Sequence, residues 1–496
     1  MNRWMRMGAR SAWAALFALQ ASPASAQPRA AVDFIAAIEG SQTGTDSLSR
    51  MTVAELLRTF KVPGLSVAVI RDSRIHWAKG YGTADAETGA PVDTGTLFQA
   101  ASISKTFNAM AVLKAAQDGL FGLDDDINTI LKSWHLNGGD FTRRQPVTPR
   151  TLASHVSGLG DAFGYPGYTP GATLPTMVQL LDGTSPSITG PLFMEREPWT
   201  AFEYSGGGVT LLQLALIDAR KRPYADLLTQ TILTPIGLTR STFEQPLSAT
   251  NDRNAARAHD RFGKGRGPKW HVYPELAAAG LWTTPSDLAR FAIEVERSAK
   301  GKSNRVLSPA MAREMLTPVG VGAYAVGFSL SKQGEGWYFS HGGSNWGFQS
   351  NLIMHTVKGY GVALMTNGDN GGPLMNEILR RVRRAYAWDS EAAPVPRGYY
   401  PAITTPRVTL TSDVLERYAG QYADAALDVT VRLDTGVLQL NAGGGWSPLE
   451  PLSETEFVLG GNTRVRFQLT AANGVTGVRV QVSGRDVLLT RKSTRE

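Results

Sequence analysis

The stretch Leu65-Ser66-Val67-Ala68-Val69-Ile70 is rich in β-forming residues, stops at Asp72-Ser73 and resumes at Ile75-His76-Trp77. Two β-rich runs around a short polar turn predict a hairpin. The period then changes. From Ser102 to Gly119 most residues are good helix formers, and Phe107, Met110 and Leu113 recur at helical spacing. A helix is predicted there, with Gly119 suited to the position just past its end. Thr284-Pro285-Ser286-Asp287 opens another helix, with Thr as N-cap, Pro at the first position and an acid at the third. Between Tyr324 and Asn367 strand-like runs are broken by glycine pairs. Strands at both ends with helices between them predict one sheet built from the two ends of a domain, plus a helical insert.

The pattern changes twice more. About 391–406 lacks apolar periodicity and is punctuated by Pro394, Pro396, Pro401 and Pro406, which reads as a linker. Residues 407–496 hold short alternating runs at 429–433, 437–440, 465–469, 478–482 and 487–490. Turn signals at Asp434-Thr435-Gly436 and Asn473-Gly474 separate some of them. An antiparallel sheet or small closed barrel is predicted. The fold class expected for the whole chain is α+β followed by a small all-β domain.

Composition narrows the chemistry. The chain has 496 residues, of which 42% are hydrophobic and 19% charged. That allows two or three domains and excludes global disorder. There is no cysteine, which removes disulfides, thiolate metal sites and a cysteine nucleophile. Five of the seven histidines (His76, His135, His259, His271, His355) form no metal-ligand spacing, so no metal is expected, and no other cofactor is expected either. Asp124-Asp125-Asp126 reads as a solvated acidic loop.

The net charge is +7. Arg3, Arg6 and Arg10 stand in a segment without acids, and setting them aside leaves +4. Nucleic acid is therefore not an expected partner. Those arginines, the short apolar stretch Trp13–Leu19 and the small residues Ala24-Ser25-Ala26 read as a secretory signal over 1–26. The apolar stretch falls short of the ~20 residues a membrane-spanning helix needs. Cleavage after Ala26, a periplasmic or secreted location and no stable membrane span are the expectations. An uncleaved anchor is the alternative.

The leading chemical candidate is Ser102-Ile103-Ser104-Lys105. On a helix, positions i and i+3 share a face, so the Ser102 hydroxyl and Lys105 amine can meet. A serine needs a base to become a nucleophile, and a lysine serves only if its pKa falls well below ~10.4. The helix start also favours developing negative charge. The ordinary alternative is that Ser102 simply caps a helix. The pattern recurs at Ser329-Leu330-Ser331-Lys332, but in an alternating stretch whose period-2 geometry puts Ser329 and Lys332 on opposite faces.

Context distinguishes the two copies. Leu97–Phe107 resembles the nucleophile segment of the serine β-lactamase and penicillin-binding-protein superfamily, nearest to class C β-lactamases and their esterase and D-amino-acid-peptidase relatives. The likeness extends over about 33–390. Gly80-Tyr81-Gly82, Leu123-Asp124-Asp125, Thr151–Leu159, Ala279–Leu288 and Ser340-His341-Gly342-Gly343 follow in the family's order. Glu416–Tyr422 resembles the start of lipocalin-like domains appended to some of these hydrolases. The resemblance implies a β-lactamase/D-D-peptidase-like domain, an antiparallel sheet flanked by helices with a helical subdomain.

It also implies roles. Tyr204-Ser205-Gly206 stands where the family usually has Tyr-x-Asn, so Tyr204 would share proton transfer with Lys105; the alternative is a tyrosine packed at a helix start. Gly206 replaces the asparagine that helps bind an amide on the acyl side, and the expectation is that its loss widens this corner. His341-Gly342-Gly343 matches an element that is often Lys-Thr-Gly. The backbone N–H of Ser344 would join that of Ser102 as an oxyanion hole. A histidine with a reference pKa of ~6.5 should hold a carboxylate less well than a lysine. A structural strand histidine, or the base of a Ser-His-Asp triad, are the rival readings of His341. No Gly-x-Ser-x-Gly elbow supports a triad. His155 is read as a core or capping residue.

The expected function is a serine hydrolase acting through an acyl-enzyme on Ser102 and cleaving an ester or amide. The expected substrate is a small ester, peptide or β-lactam. A β-lactamase or D-D-carboxypeptidase, and a slowly deacylating penicillin-binding-like sensor, are the alternatives.

Overall fold

The computed structural model describes residues 30–44, 46–160, 163–333, 336–388, 403, 405–424, 428–442, 446–460, 463–470, 472–482 and 485–492. The leader expected at 1–26 and most of the linker expected at 391–406 lie outside them.

The first strands are β1 (Gly64–Arg71) and β2 (Arg74–Asp85), joined by Asp72 and Ser73 at φ 53° and 52°. Positive φ at both central residues matches the twist of a tight hairpin. A short β3 (Ala90–Pro91) edges β2. Four later strands complete the sheet: β4 (Ser329–Gln333), β5 (Gly336–Asn345), β6 (Phe348–His355) and β7 (Gly361–Thr366). The order is β3-β2-β1-β7-β6-β5-β4, and every pair is antiparallel. The β1–β7 pairing, with Ala68 opposite Ala363, joins the early and late parts of the domain.

Strand β1 is apolar on both faces because both are covered. Leu65, Val67 and Val69 pack with helices α1 (Ala31–Glu39), α2 (Val53–Phe60) and, from the far end of the domain, Gly371–Tyr386. Ala68 and Ile70 face the larger core, with α3 (Ser104–Gln117), α4 (Gly206–Arg220) and α5 (Pro285–Ala299). Alternate side chains of a strand point to opposite faces, so one run serves two cores. Helix α3 is buried nearly all round, and its Phe107 stacks on Phe291 at 3.9 Å.

The segment around Ser102 differs from expectation at its start. Ser102 lies in a 3₁₀ turn, Ala101–Ile103, and the α-helix begins at Ser104. At the other end Gly119, at φ 74°, follows the C-cap and lets Leu120 N–H return to Ala115 O. Thr284 caps α5 by accepting the Asp287 N–H at 3.2 Å.

The last part of the chain is a closed antiparallel barrel of eight strands: β8 (Gly420–Ala423), β9 (Asp428–Asp434), β10 (Val437–Asn441), β11 (Trp446–Pro451), β12 (Glu456–Leu459), β13 (Thr463–Leu469), β14 (Val475–Val482) and β15 (Arg485–Arg491). Closure removes the exposed edges that a small sheet would otherwise present. Tyr418, Tyr422, Phe457 and Phe467 pack together inside it. The fold is α+β with a C-terminal barrel.

Candidate active site

The turn carrying Ser102 is held from several directions. Ala101 has φ 49°, a left-handed conformation uncommon for a residue with a Cβ. Ser104 Oγ donates to Ala101 O at 2.5 Å, Ser350 Oγ donates to Ala100 O at 2.7 Å, and Ala100 N–H donates to Leu281 O at 2.8 Å. The turn rests on β5 at Gly343, where a Cβ would meet Ala100 O at 2.2 Å. Glycine is required there by close approach.

Lys105 is buried, and its Nζ donates to Ser102 Oγ and to Ala278 O, both at 2.9 Å. Ser102 Oγ thus faces the lysine, and the one-turn spacing across the 3₁₀–α junction still brings the pair together. The Nζ also lies 5.1 Å from the ring centroid of Tyr204 and 5.3 Å from that of Tyr165, within cation–π range.

Tyr204 leads into α4, whose N-cap Ser205 accepts the Gly208 N–H at 3.0 Å. His155 is buried beside it. The Ser205 N–H donates to His155 Nδ1 at 3.1 Å, and the rings of His155 and Tyr204 lie 4.3 Å apart. Tyr324 packs edge-on to His155 at 5.1 Å and to His341 at 6.2 Å. The aromatic set fixes the Tyr204 ring from three sides.

His341 is buried on β5, and its ring lies 6.1 Å from that of Tyr204. Its Nδ1 is 2.6 Å from Gly342 O, so Nδ1 carries the hydrogen and donates. Nε2 is then an acceptor, and it is buried with no hydrogen-bond partner. Burial first, then the nearby charge of Lys105, lowers its pKa to about 4, so the ring is neutral at pH 7. Burial, Lys105 and His341 push His155 well below 6.5 in the same way. The Ser-His-Asp reading places His341 as the base of Ser102; it is Lys105 that stands within hydrogen-bond distance of Ser102 Oγ.

Ser102 lies between two hollows. The larger, about 630 Å³, is lined by Tyr204, Tyr324, His341 and Ser344 among others, and it also reaches Ser329. Ser329 sits on β4, paired with Ser340, while Lys332 is solvent-exposed: the second Ser-x-x-Lys is a strand. Strand β4 pairs with β5 only as far as Ser340, so His341 to Asn345 extend beyond it alongside Ser102. Gly342 and Gly343 lie on this stretch. Ser344 Oγ accepts from Gln349 Nε2 at 2.8 Å.

One expectation is overturned. Gly206 does not widen its corner, because a Cβ there would meet Tyr165 Oη at 2.1 Å and the Tyr165 ring at 2.4 Å. Tyr165 fills the space. It comes from a Gly-Tyr-Pro loop with no periodicity, so nothing in the chain's pattern marks it. Glu275 is the other residue that pattern reading passes over. It is buried just before the short helical turn Leu276–Ala279 that supplies Ala278 O, and its Oε2 has no hydrogen-bond partner. Burial raises its pKa to about 7, against the opposing effects of its own backbone N–H and of Lys105.

Comparison with known proteins bears on the fold and the family. The chain is 25% identical over 318 residues to "Protein flp" of Staphylococcus aureus (strain N315), covering 62% of this chain and 60% of that protein. The chain therefore spans about 60% of the length of that curated relative. Among solved structures, SurE with D-Leu superposes with a TM-score of 0.56 at 22% identity, covering 89% of this chain and 97% of that one. The D-amino acid amidase of Ochrobactrum anthropi SV3 complexed with L-phenylalanine gives 0.55 at 23% identity, over 68% and 97%. At those identities the likeness establishes the fold. Residues 50–387, more than half of the chain, match the Beta-lactamase family, to which the chain belongs.

Proposed function

We propose that this protein is a serine hydrolase that forms an acyl-enzyme on Ser102 and cleaves an ester or amide, as an esterase or D-amino-acid peptidase. The observation that carries the reading is the 2.9 Å approach of Lys105 Nζ to Ser102 Oγ at the junction of two hollows. With Lys105 neutral, its lone pair takes the Ser102 proton as Oγ attacks the carbonyl carbon. Tyr204, beside the same Nζ, passes a proton to the departing oxygen or nitrogen. Backbone N–H groups of Ser102 and Ser344 stabilise the oxyanion, worth roughly 3–4 kcal/mol each. Water then releases the acid by the reverse proton path.

Esters and small amides are favoured over substrates with a terminal carboxylate. Among the described residues lining the larger hollow there is no Arg or Lys, and His341 presents a neutral acceptor. A carboxylate finds no cation there. SurE was crystallised with D-Leu, which supports including D-amino-acid substrates in the same screen. Export through the leader at 1–26, with cleavage after Ala26 into the periplasm or medium, is part of the proposal.

The test is a hydrolysis screen over esters, D-amino-acid amides and peptides, and nitrocefin, with fluorophosphonate labelling. Wild-type protein should label and turn over esters or amides, and Ser102→Ala should do neither. Labelling that survives Ser102→Ala would falsify the assignment. Intact Met1 on the secreted protein would refute the export claim.

A further inference from the structure

The smaller hollow, about 330 Å³, lies on the other side of Ser102 and is bounded by Gly164, Tyr165, Pro166, Ala279, Asn345 and Trp346. Tyr204 and His341 line the larger hollow and not this one. The group that protonates the leaving atom must stand on the leaving-group side. Within the hydrolase reading above, the smaller hollow therefore receives the acyl group.

Two of its lining residues, Trp346 and Tyr165, are aromatic and held in place. Trp346 stacks on His271 at 3.8 Å with the planes 7° apart, and Arg266 lies over its ring at 4.6 Å. Tyr165 is held at φ 48° between Gly164 and Pro166, with Phe163 5.9 Å away and the Lys105 charge 5.3 Å from its centroid. Asn345 Nδ2 donates to Gln99 Oε1 and to Ala279 O, so its donors are committed to the protein, while its Oδ1 is buried without a hydrogen-bond partner. Gly206 closes the argument. It is buried in helical backbone, so it is glycine for space and not for conformation. Any side chain at 206 needs the volume that the Tyr165 phenol holds. A side chain at 206 therefore requires the Tyr165 ring to leave its present place.

We propose that Tyr165 is the residue that sets acyl specificity, its ring replacing a side chain at 206 and making the smaller hollow a slot for an aromatic or bulky apolar acyl group.

The experiment compares p-nitrophenyl phenylacetate with p-nitrophenyl acetate. Wild type should prefer phenylacetate by about tenfold or more in kcat/KM, the order of discrimination an apolar pocket supplies. Tyr165→Ala should lose most of that preference, read as the ratio of the two kcat/KM values so that any effect common to both esters cancels; Tyr165→Phe, which keeps the ring, should retain it. Gly206→Asn alone should cut turnover of both esters by about 100-fold, because a misplaced catalytic residue costs that much. Tyr165→Ala with Gly206→Asn should restore acetate turnover to within about tenfold of Tyr165→Ala alone, the signature of coupled neighbours. Full activity of Gly206→Asn with Tyr165 present, or unchanged preference in Tyr165→Ala, overturns the proposal. Protein that labels with fluorophosphonate at Ser102 but shows no acyl preference overturns the proposal alone. Protein that neither labels nor turns over esters overturns the hydrolase reading and the proposal with it.

Discussion

The imidazole of His155 lies flat enough on the ring of Tyr204, 32° between planes at 4.3 Å, to act as its backing plate. Its Nδ1 also accepts the N–H of Ser205, the next residue along. One side chain thus fixes both the ring and the backbone that follows it. His155→Ala leaves that buried N–H unpaired, at a cost of about 1–3 kcal/mol. It should also lower kcat about 10- to 100-fold by freeing Tyr204. His155→Phe restores the plate but not the acceptor and should recover part of kcat. An unaltered kcat in His155→Ala, with only thermal stability reduced, would show that the ring serves packing alone.

Lys105 can be separated into charge and base. Lys105→Arg keeps a cation beside Ser102, but a guanidinium does not deprotonate at working pH. Ester turnover should fall by about 10³-fold or more. Fluorophosphonate labelling of Ser102 should slow in parallel. Turnover within about tenfold of wild type in Lys105→Arg would mean that the base lies elsewhere.

His341 has a pKa of about 4 in the folded protein, against an ordinary 6.5, chiefly because it is buried. Between those values the unfolded chain binds more protons, so stability rises with pH. The contribution is complete above pH 6.5 and is lost as pH falls through about 4. It amounts to roughly 3 kcal/mol at most. His341→Gln should therefore be less sensitive than wild type to acid between pH 6.5 and 4 in urea titrations. Equal acid sensitivity in the two proteins would count against a buried neutral His341.

Glu275 runs the opposite way. Its folded pKa is raised to about 7, mainly by burial, so its stabilising contribution is present below the ordinary carboxylate value and is lost as pH rises through 7. Glu275→Gln should be more stable than wild type at pH 8 and no more stable at pH 5. Its ionised form also favours the charged state of Lys105. Removing it should move the acid-side limb of kcat/KM to lower pH by up to about one unit. A limb that stays in place would disconnect Glu275 from the lysine.

Much of the fold is legible because each feature has a local cause. Leu65–Ile70 reads as a strand since it is β-rich throughout, and it is apolar throughout because two cores meet on it. Gly119 marks a helix end because only its backbone turns that way cheaply. The barrel strand Trp446–Pro451 is hidden by Pro448 and Pro451, which demote a run on propensity yet fit where a proline needs no ladder donor. The order of motifs reveals Ser102, Lys105, Tyr204 and His341. Tyr165 and Glu275 are not legible, since each matters only through a neighbour distant in the chain. Gly206 looks like a vacancy until the loop at 163–166 is placed beside it. The 3₁₀ turn at Ala101–Ile103 is equally silent, being set by the hydrogen bonds of Ser104 and Ser350.

The pairing of β1 with β7 gives the surroundings of Ser102 an order in time. Ser102 follows the early hairpin, whereas Gly343, on which its turn rests, belongs to strands that emerge last from this domain. Until those strands dock, the turn lacks the Ser350 hydrogen bond and its rest on Gly343, and Ser344 is not yet beside Ser102. On the hydrolase reading proposed above, a nascent or truncated chain ending before β5 should not label at Ser102. Probe labelling of Ser102 would then serve as a stopwatch for completion of the sheet.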